Sequence, residues 1–288
     1  MIFHKKKFAS ILTLVFMLAL CGFAPHTMLV FKRSFGDFNH PKAATWDQLG
    51  NLYVVDTGND RVVKYSPSGD SIASIGTSGF DVTQFQTPDG IAVTGVDVYV
   101  ADYGNHRIQR FNRNLDYIAT LYTRENPTEA QRFGYPKGVA ASSQGDLFIL
   151  DGENIRILQV NAFNVIEKNF GSIDAGAERL LDPSQIITDA SDRIYVRDGD
   201  VIKMFDIYGN PTGMLSNMFA PPMRGCAVYG NTLYVLSDSV ITIVTLGDAE
   251  QNAEIMNIPD KRPWEAIAVS AKTIALFDDH AVYEYNRQ

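Results

Sequence analysis

Histidine and cysteine are scarce in this chain, and neither falls in a metal-binding pattern. Of five histidines in 288 residues, only His40, His106 and His280 lie beyond the N-terminal apolar stretch and its flank. They share no convergent spacing, so a tight zinc site is not expected. The two cysteines, Cys21 and Cys226, are too few for a disulfide framework. Cys226 lies in the apolar run Gly225-Cys226-Ala227-Val228. There it reads as a small buried hydrophobe, because a reactive thiol needs a partly exposed, electropositive setting. No basic stripe is present and the net charge is −8, which excludes general attraction to nucleic acid. Also missing are a phosphate-binding glycine loop, a nucleophile elbow and a Cys-x-x-Cys pair.

Long, predominantly apolar runs without charge are absent but for one. Phe8–Ala24 has 17 residues without charge, directly after Lys5-Lys6-Lys7. A basic start followed by an apolar core marks an export signal, and the run is short for a membrane span of ~20 residues. The sequence predicts export to the periplasm or beyond, with membrane contact only through this segment. Its fate stays open between cleavage after Gly22-Phe23-Ala24, retention as an anchor, and lipidation at Cys21. Leu20 is bulkier than a lipobox prefers, and Pro25 is a poor neighbour for signal peptidase. Residues 1–24 are thus set apart from a single domain over 29–288.

What the chain has in quantity is repetition. A β-rich stretch closing on an acid or serine recurs at 52–56 (LYVVD), 98–102 (VYVAD), 147–151 (LFILD), 194–198 (IYVRD), 233–237 (LYVLS) and 274–278 (IALFD). Successive copies lie 39 to 49 residues apart. Repeats near ~40–45 residues with several short strands each indicate propeller blades. In the clearest copy, strands a to d are Ile91–Val93, Val98–Asp102, Arg107–Phe111 and Tyr117–Leu121, separated by turn residues. Six such units predict an all-β, six-bladed β-propeller. The sixth lacks an outer strand, while residues 29–36 read as a strand d with no blade before it. Pairing 29–36 with 282–285 closes the ring and leaves no open seam.

Pro88-Asp89-Gly90-Ile91-Ala92-Val93, Tyr99-Val100-Ala101-Asp102, Asn105-His106-Arg107-Ile108 and Phe111 together resemble an NHL repeat. Blades 1 and 3 repeat the pattern, and blades 4 to 6 keep the strands but lose the Asn-x-Arg. The resemblance implies a propeller that binds proteins, peptides, glycans or RNA, with a few enzymes among its relatives. The amidating lyases of this type use histidines around zinc. The similar lactonase propellers use carboxylates and an Asn around calcium, to which Asp89 and Glu265 are the available contributors.

Asp56/Arg61, Asp102/Arg107 and Asp151/Arg156 share one spacing. A feature repeated at one place in blade after blade builds the blade, so the pairs of blades 1 to 3 are read as structural hairpin pairs. Sites are sought where equivalent positions differ. At the start of strand a the residues are Lys42, Asp89, Lys137, Ser184, Arg224 and Glu265. They form a mixed polar rim at the channel mouth, with Trp264 beside it as an aromatic contact. The long d-to-a loops at 77–87, 123–135 and 172–183 emerge on one face, where Phe80, Phe85 and Phe133 are the anchor candidates. The reading is a non-enzymatic binding scaffold of the envelope with a protein, peptide or glycan partner and no cofactor. Its competitor is a metal-dependent lyase or lactonase acting at the channel, with calcium the cofactor to look for.

Overall fold

The computed structural model describes residues 29–247 and 252–287. The N-terminal stretch predicted to be an export signal, with Cys21, lies outside the described residues. Among those, no helix is long and apolar enough to cross a membrane.

The chain opens with β1 (Val30–Phe35). Blade 1 is β2 (Pro41–Trp46), β3 (Leu52–Asp56), β4 (Arg61–Tyr65) and β5 (Ser71–Ile75). Blade 2 is β6 (Pro88–Thr94), β7 (Asp97–Asp102), β8 (Arg107–Asn112) and β9 (Tyr117–Tyr122). Blade 3 is β10 (Pro136–Ala141), β11 (Leu147–Asp151), β12 (Arg156–Val160) and β13 (Ile166–Phe170). Blade 4 is β14 (Pro183–Thr188), β15 (Ile194–Asp198), β16 (Val201–Phe205) and β17 (Pro211–Leu215). Blade 5 is β18 (Gly225–Tyr229), β19 (Thr232–Leu236), β20 (Val240–Thr245) and β21 (Ala253–Asn257). Blade 6 is β22 (Ala266–Val269), β23 (Thr273–Phe277) and β24 (Val282–Asn286). Among the described residues these form six antiparallel four-stranded sheets, the sixth in the order β1-β24-β23-β22. The expected closure is therefore present, with Val30 opposite Asn286 and Phe35 opposite Val282.

Sequence and burial agree strand by strand. Strand b runs are mostly apolar ahead of their closing Asp or Ser and are sandwiched between neighbouring blades, so Leu52–Asp56 is buried at every position. Strand d lies at the rim, and Ser71–Ile75 is exposed or half-buried throughout. Six hydrophobic clusters fill the six seams between blades.

The seams correct three expectations. Phe85 and Phe133 are fully buried. Phe85 plugs the seam of blades 1 and 2, and Phe133 that of blades 2 and 3. Phe38 and Leu180 plug two further seams. Trp264 is also fully buried, in the seam of blades 5 and 6 with its ring edge-on to Tyr283. The physical reason is common to all: a loop crossing from one rim to the next centre drops a large apolar side chain into the gap. Removing that area from water contributes roughly 1.5–3 kcal/mol per side chain. Neither phenylalanine nor the tryptophan presents a ring to a partner.

At the centre, β2, β6, β10 and β14 each begin with a register irregularity, between Pro41 and Ala43, Pro88 and Gly90, Pro136 and Gly138, and Pro183 and Gln185. The skipped residues are Lys42, Asp89, Lys137 and Ser184, all of which line the channel. A bulge re-aims a side chain in this way. Gly90 permits the close approach of neighbouring central strands, since a Cβ there would stand 2.7 Å from the Gly138 Cα.

Candidate functional site

One face of the ring carries the channel mouth, the b-to-c turns and the d-to-a loops. Its scaffold is the Asp–Arg pair. Asp102 is fully buried. It accepts hydrogen bonds from the Gln86 amide, Asn105 Nδ2 and Arg107 Nε, each at 2.8 Å. Burial pushes its carboxyl up, and those donors oppose the shift. Arg107 in turn donates to the carbonyls of Phe80, Asp81 and Gln84 at 2.8 to 2.9 Å. The pair clamps the loop leading into its own blade. Asp56 with Arg61 grips Asn39 and Asp37 in the same manner. Asp151 with Arg156 grips Gly134 and Arg132. All three aspartates are at 0% exposure, so they offer no charge to a ligand. In blade 4, where the Asn-x-Arg is missing, Lys203 takes over the clamp at 3.1 Å from Asp198.

The mouth residues do converge, but unevenly. Lys42 Nζ lies 3.2 Å from Asp89 Oδ1. Burial raises the Asp89 carboxyl, against the pull of Lys42, Lys137 and Arg197. Lys137 Nζ donates to the Pro183 carbonyl at 3.1 Å, and Ser184 Oγ to the Arg197 carbonyl at 3.3 Å. Arg224 Nε pairs with Asp238 Oδ1 at 2.7 Å, with side chains 39% and 55% exposed. Burial, then the Asp279 charge, raises the Glu265 carboxyl. Behind the rim, Cys226 is 1% exposed. Gln185 clasps its backbone across the two blades, and burial pushes its thiol up to about 12. Among the described residues no three His, Cys, Asp or Glu stand together as metal ligands.

Two features escaped the sequence reading. Arg197, on β15, lines the channel. The second is an aromatic patch at blades 2 and 3, of which the sequence singles out Phe80 alone. Phe80 is 73% exposed, Tyr122 48% and Tyr135 41%. A cavity of about 460 Å³ opens between Phe80, Gln86, Asn105, His106, Thr120 and Tyr122. The His106 ring stands edge-on to Tyr135 with centroids 4.1 Å apart, and Tyr103 lies 5.2 Å from the same tyrosine. His106 Nδ1 accepts the Tyr135 amide at 3.1 Å. Burial and then the Arg124 charge hold the imidazole below its usual range, favouring the neutral ring. Asn105 is 7% exposed and its Oδ1 has no partner among the described residues. Aligning the blades would have found the patch. Tyr103, His106 and Tyr122 stand where blade 1 has Thr57, Asp60 and Gly76, and blade 3 has Gly152, Ile155 and Gly171.

This architecture defines a six-bladed β-propeller. The NHL repeat family matches residues 85–111, the first three strands of blade 2 with the seam plug ahead of them. No curated protein matches the chain. Solved structures share its fold. Virginiamycin B lyase from Staphylococcus aureus aligns with a TM-score of 0.61 and 16% identity, over 89% of this chain and 99% of that one. Hydrazine synthase from Kuenenia stuttgartiensis aligns at 0.57 and 13%, over 83% and 74% respectively. A nidogen/laminin complex aligns at 0.57 and 15%, over 76% and 82%. At these identities the likeness is one of fold.

Proposed function

We propose that this chain is an exported, non-enzymatic binding propeller that captures a protein or peptide partner on its loop face. The observation that carries the reading is the patch of Phe80, His106, Tyr122 and Tyr135. Propeller loops are displayed by a rigid ring, and large aromatics that remain accessible there are the side chains from which binding hot spots are made. The Asp102–Arg107 clamp holds Phe80 in place before any partner arrives, which reduces the ordering cost of association. Export rests on Lys5-Lys6-Lys7 and the apolar run behind it.

Affinity capture from native envelope, with the full chain as bait, tests the proposal. Replacing Phe80 and Tyr135 together by Ala is expected to remove a partner that the parent chain retains. Capture undiminished by that pair of changes would count against it. Elemental analysis separates this reading from the metal-dependent lyase or lactonase: calcium or zinc at one per chain would favour the enzyme.

A further inference from the structure

Arg197 breaks the blade repeat at a position where charge is costly. The residue before the closing acid or serine of strand b is Val55, Ala101, Leu150, Leu236 and Phe277 in the other five blades. Each of these is at 0% exposure. Blade 4 alone places a guanidinium there.

That guanidinium is poorly satisfied. Nη1 donates to the Met223 carbonyl at 2.5 Å. Nε is buried with no partner among the described residues, and none of their carboxylates lies in ion-pair contact with Arg197. Burial pulls the group below the usual arginine range. Arg197 as a whole is half-buried, and a cation drawn partly out of water without a paired anion costs stability, so an apolar side chain of similar size is commonly better there. Five blades use the apolar solution. The exception therefore calls for an interaction that only a cation supplies.

The surroundings point the same way. The charged residues lining the channel are Lys42, Lys137, Arg197 and Arg224 against Asp89 and Glu265. Lys42 is paired with Asp89 and Arg224 with Asp238, which leaves Arg197 and Lys137 as the channel cations without a carboxylate in contact, in a protein whose net charge is −8. Lys137 Nζ uses one carbonyl acceptor, leaving further N–H donors. The cavity is about 410 Å³, within the ~300–1,000 Å³ of small-molecule sites. Its deeper wall is built from small residues such as Ala43, Ala92, Ala140 and Ala268.

We infer that the channel binds a small oxyanion, a molecule bearing a carboxylate or phosphate group, which Arg197 and Lys137 hold beside the Ser184 hydroxyl. Planar donors matched to two oxygens make Arg the side chain suited to such a group. The site is separate from the aromatic patch, and it stands or falls without it.

Thermal unfolding of the purified full chain tests the inference, with inorganic phosphate and succinate as probes and sodium chloride matched for ionic strength. Saturation at about 100 times Kd should raise Tm by about 5–10 °C. A shift with phosphate alone identifies a phosphate ligand, and one with succinate alone a carboxylate. Arg197→Leu, the residue of blades 3 and 5, is the variant to compare. It is expected to keep the fold, to unfold at an equal or higher temperature, and to bind the effective probe at least tenfold more weakly by calorimetry. No shift beyond the chloride control with either probe overturns the inference. So does an Arg197→Leu chain that binds as tightly as the parent. A folded Lys137→Ala chain serves as the second variant, with the same loss expected.

Discussion

Arg33 on the first strand donates Nε to the Glu284 carboxylate on the last at 2.7 Å. Glu284 is 1% exposed and also has Lys32 Nζ at 3.1 Å. Residues 251 positions apart thus meet inside one sheet. The ring is held shut by a buried, charge-assisted contact, with Phe31 packed edge-on to Tyr285 alongside.

Arg33→Ala should therefore loosen the closure. The loss leaves a buried carboxylate with only the more exposed Lys32, at a cost of about 1–3 kcal/mol. Urea unfolding measures the total. Hydrogen exchange should show the amides of Val30–Phe35 losing protection before those of β3 or β11.

The clamps should be unequal. Arg107 is 8% exposed and serves three carbonyls as well as Asp102. Arg107→Ala strands a buried carboxylate and is expected to cost about 3–5 kcal/mol. The Arg61 side chain is 33% exposed, so Arg61→Ala should cost less. Equal losses in chemical denaturation would contradict this ranking.

Phe133 and Phe80 should behave as opposites. Phe133→Ala empties a seam and is expected to cost about 3–5 kcal/mol. Phe80→Ala should stay within about 0.5 kcal/mol in stability while weakening partner capture.

Much of this was legible in the sequence. Six repeats ending at Asp56, Asp102, Asp151, Asp198, Ser237 and Asp278 gave the blades, and the unpartnered strand at 29–36 gave the closure. The sequence also carries the signal for the seam role of Phe85 and Phe133. Phe38, Phe85 and Phe133 each precede a proline by three residues, as does Leu180. A feature so repeated builds the blade, by the rule already applied to the Asp–Arg pairs. Arg197 was equally visible as the one charge among apolar equivalents. Blade alignment singles out Tyr103, His106 and Tyr122 as departures from the repeat, but it does not show that His106 meets Tyr135. Tyr135 comes from the loop after the blade, and its contact with the turn appears only in the folded blade.

Acidity should act through His106. Its folded-state value is lowered, so the unfolded chain takes up the proton first as pH falls. The stabilisation is present above about pH 6.5, the ordinary histidine value, and is lost on acidification through it. Protonated Nδ1 can no longer accept the Tyr135 amide. Partner binding should weaken between about pH 7 and pH 5, and His106→Gln should flatten that dependence. A profile unchanged by the substitution would exclude His106 as its source.

The loop-face proposal is tested most directly by photo-crosslinking in the native envelope. A photoreactive phenylalanine analogue is placed at Phe80, or at Phe163, which is 86% exposed on the opposite face. A discrete adduct from position 80 and none from position 163 is the expected result. An adduct from position 163 alone would move the binding surface to the other side of the ring and refute the proposed function.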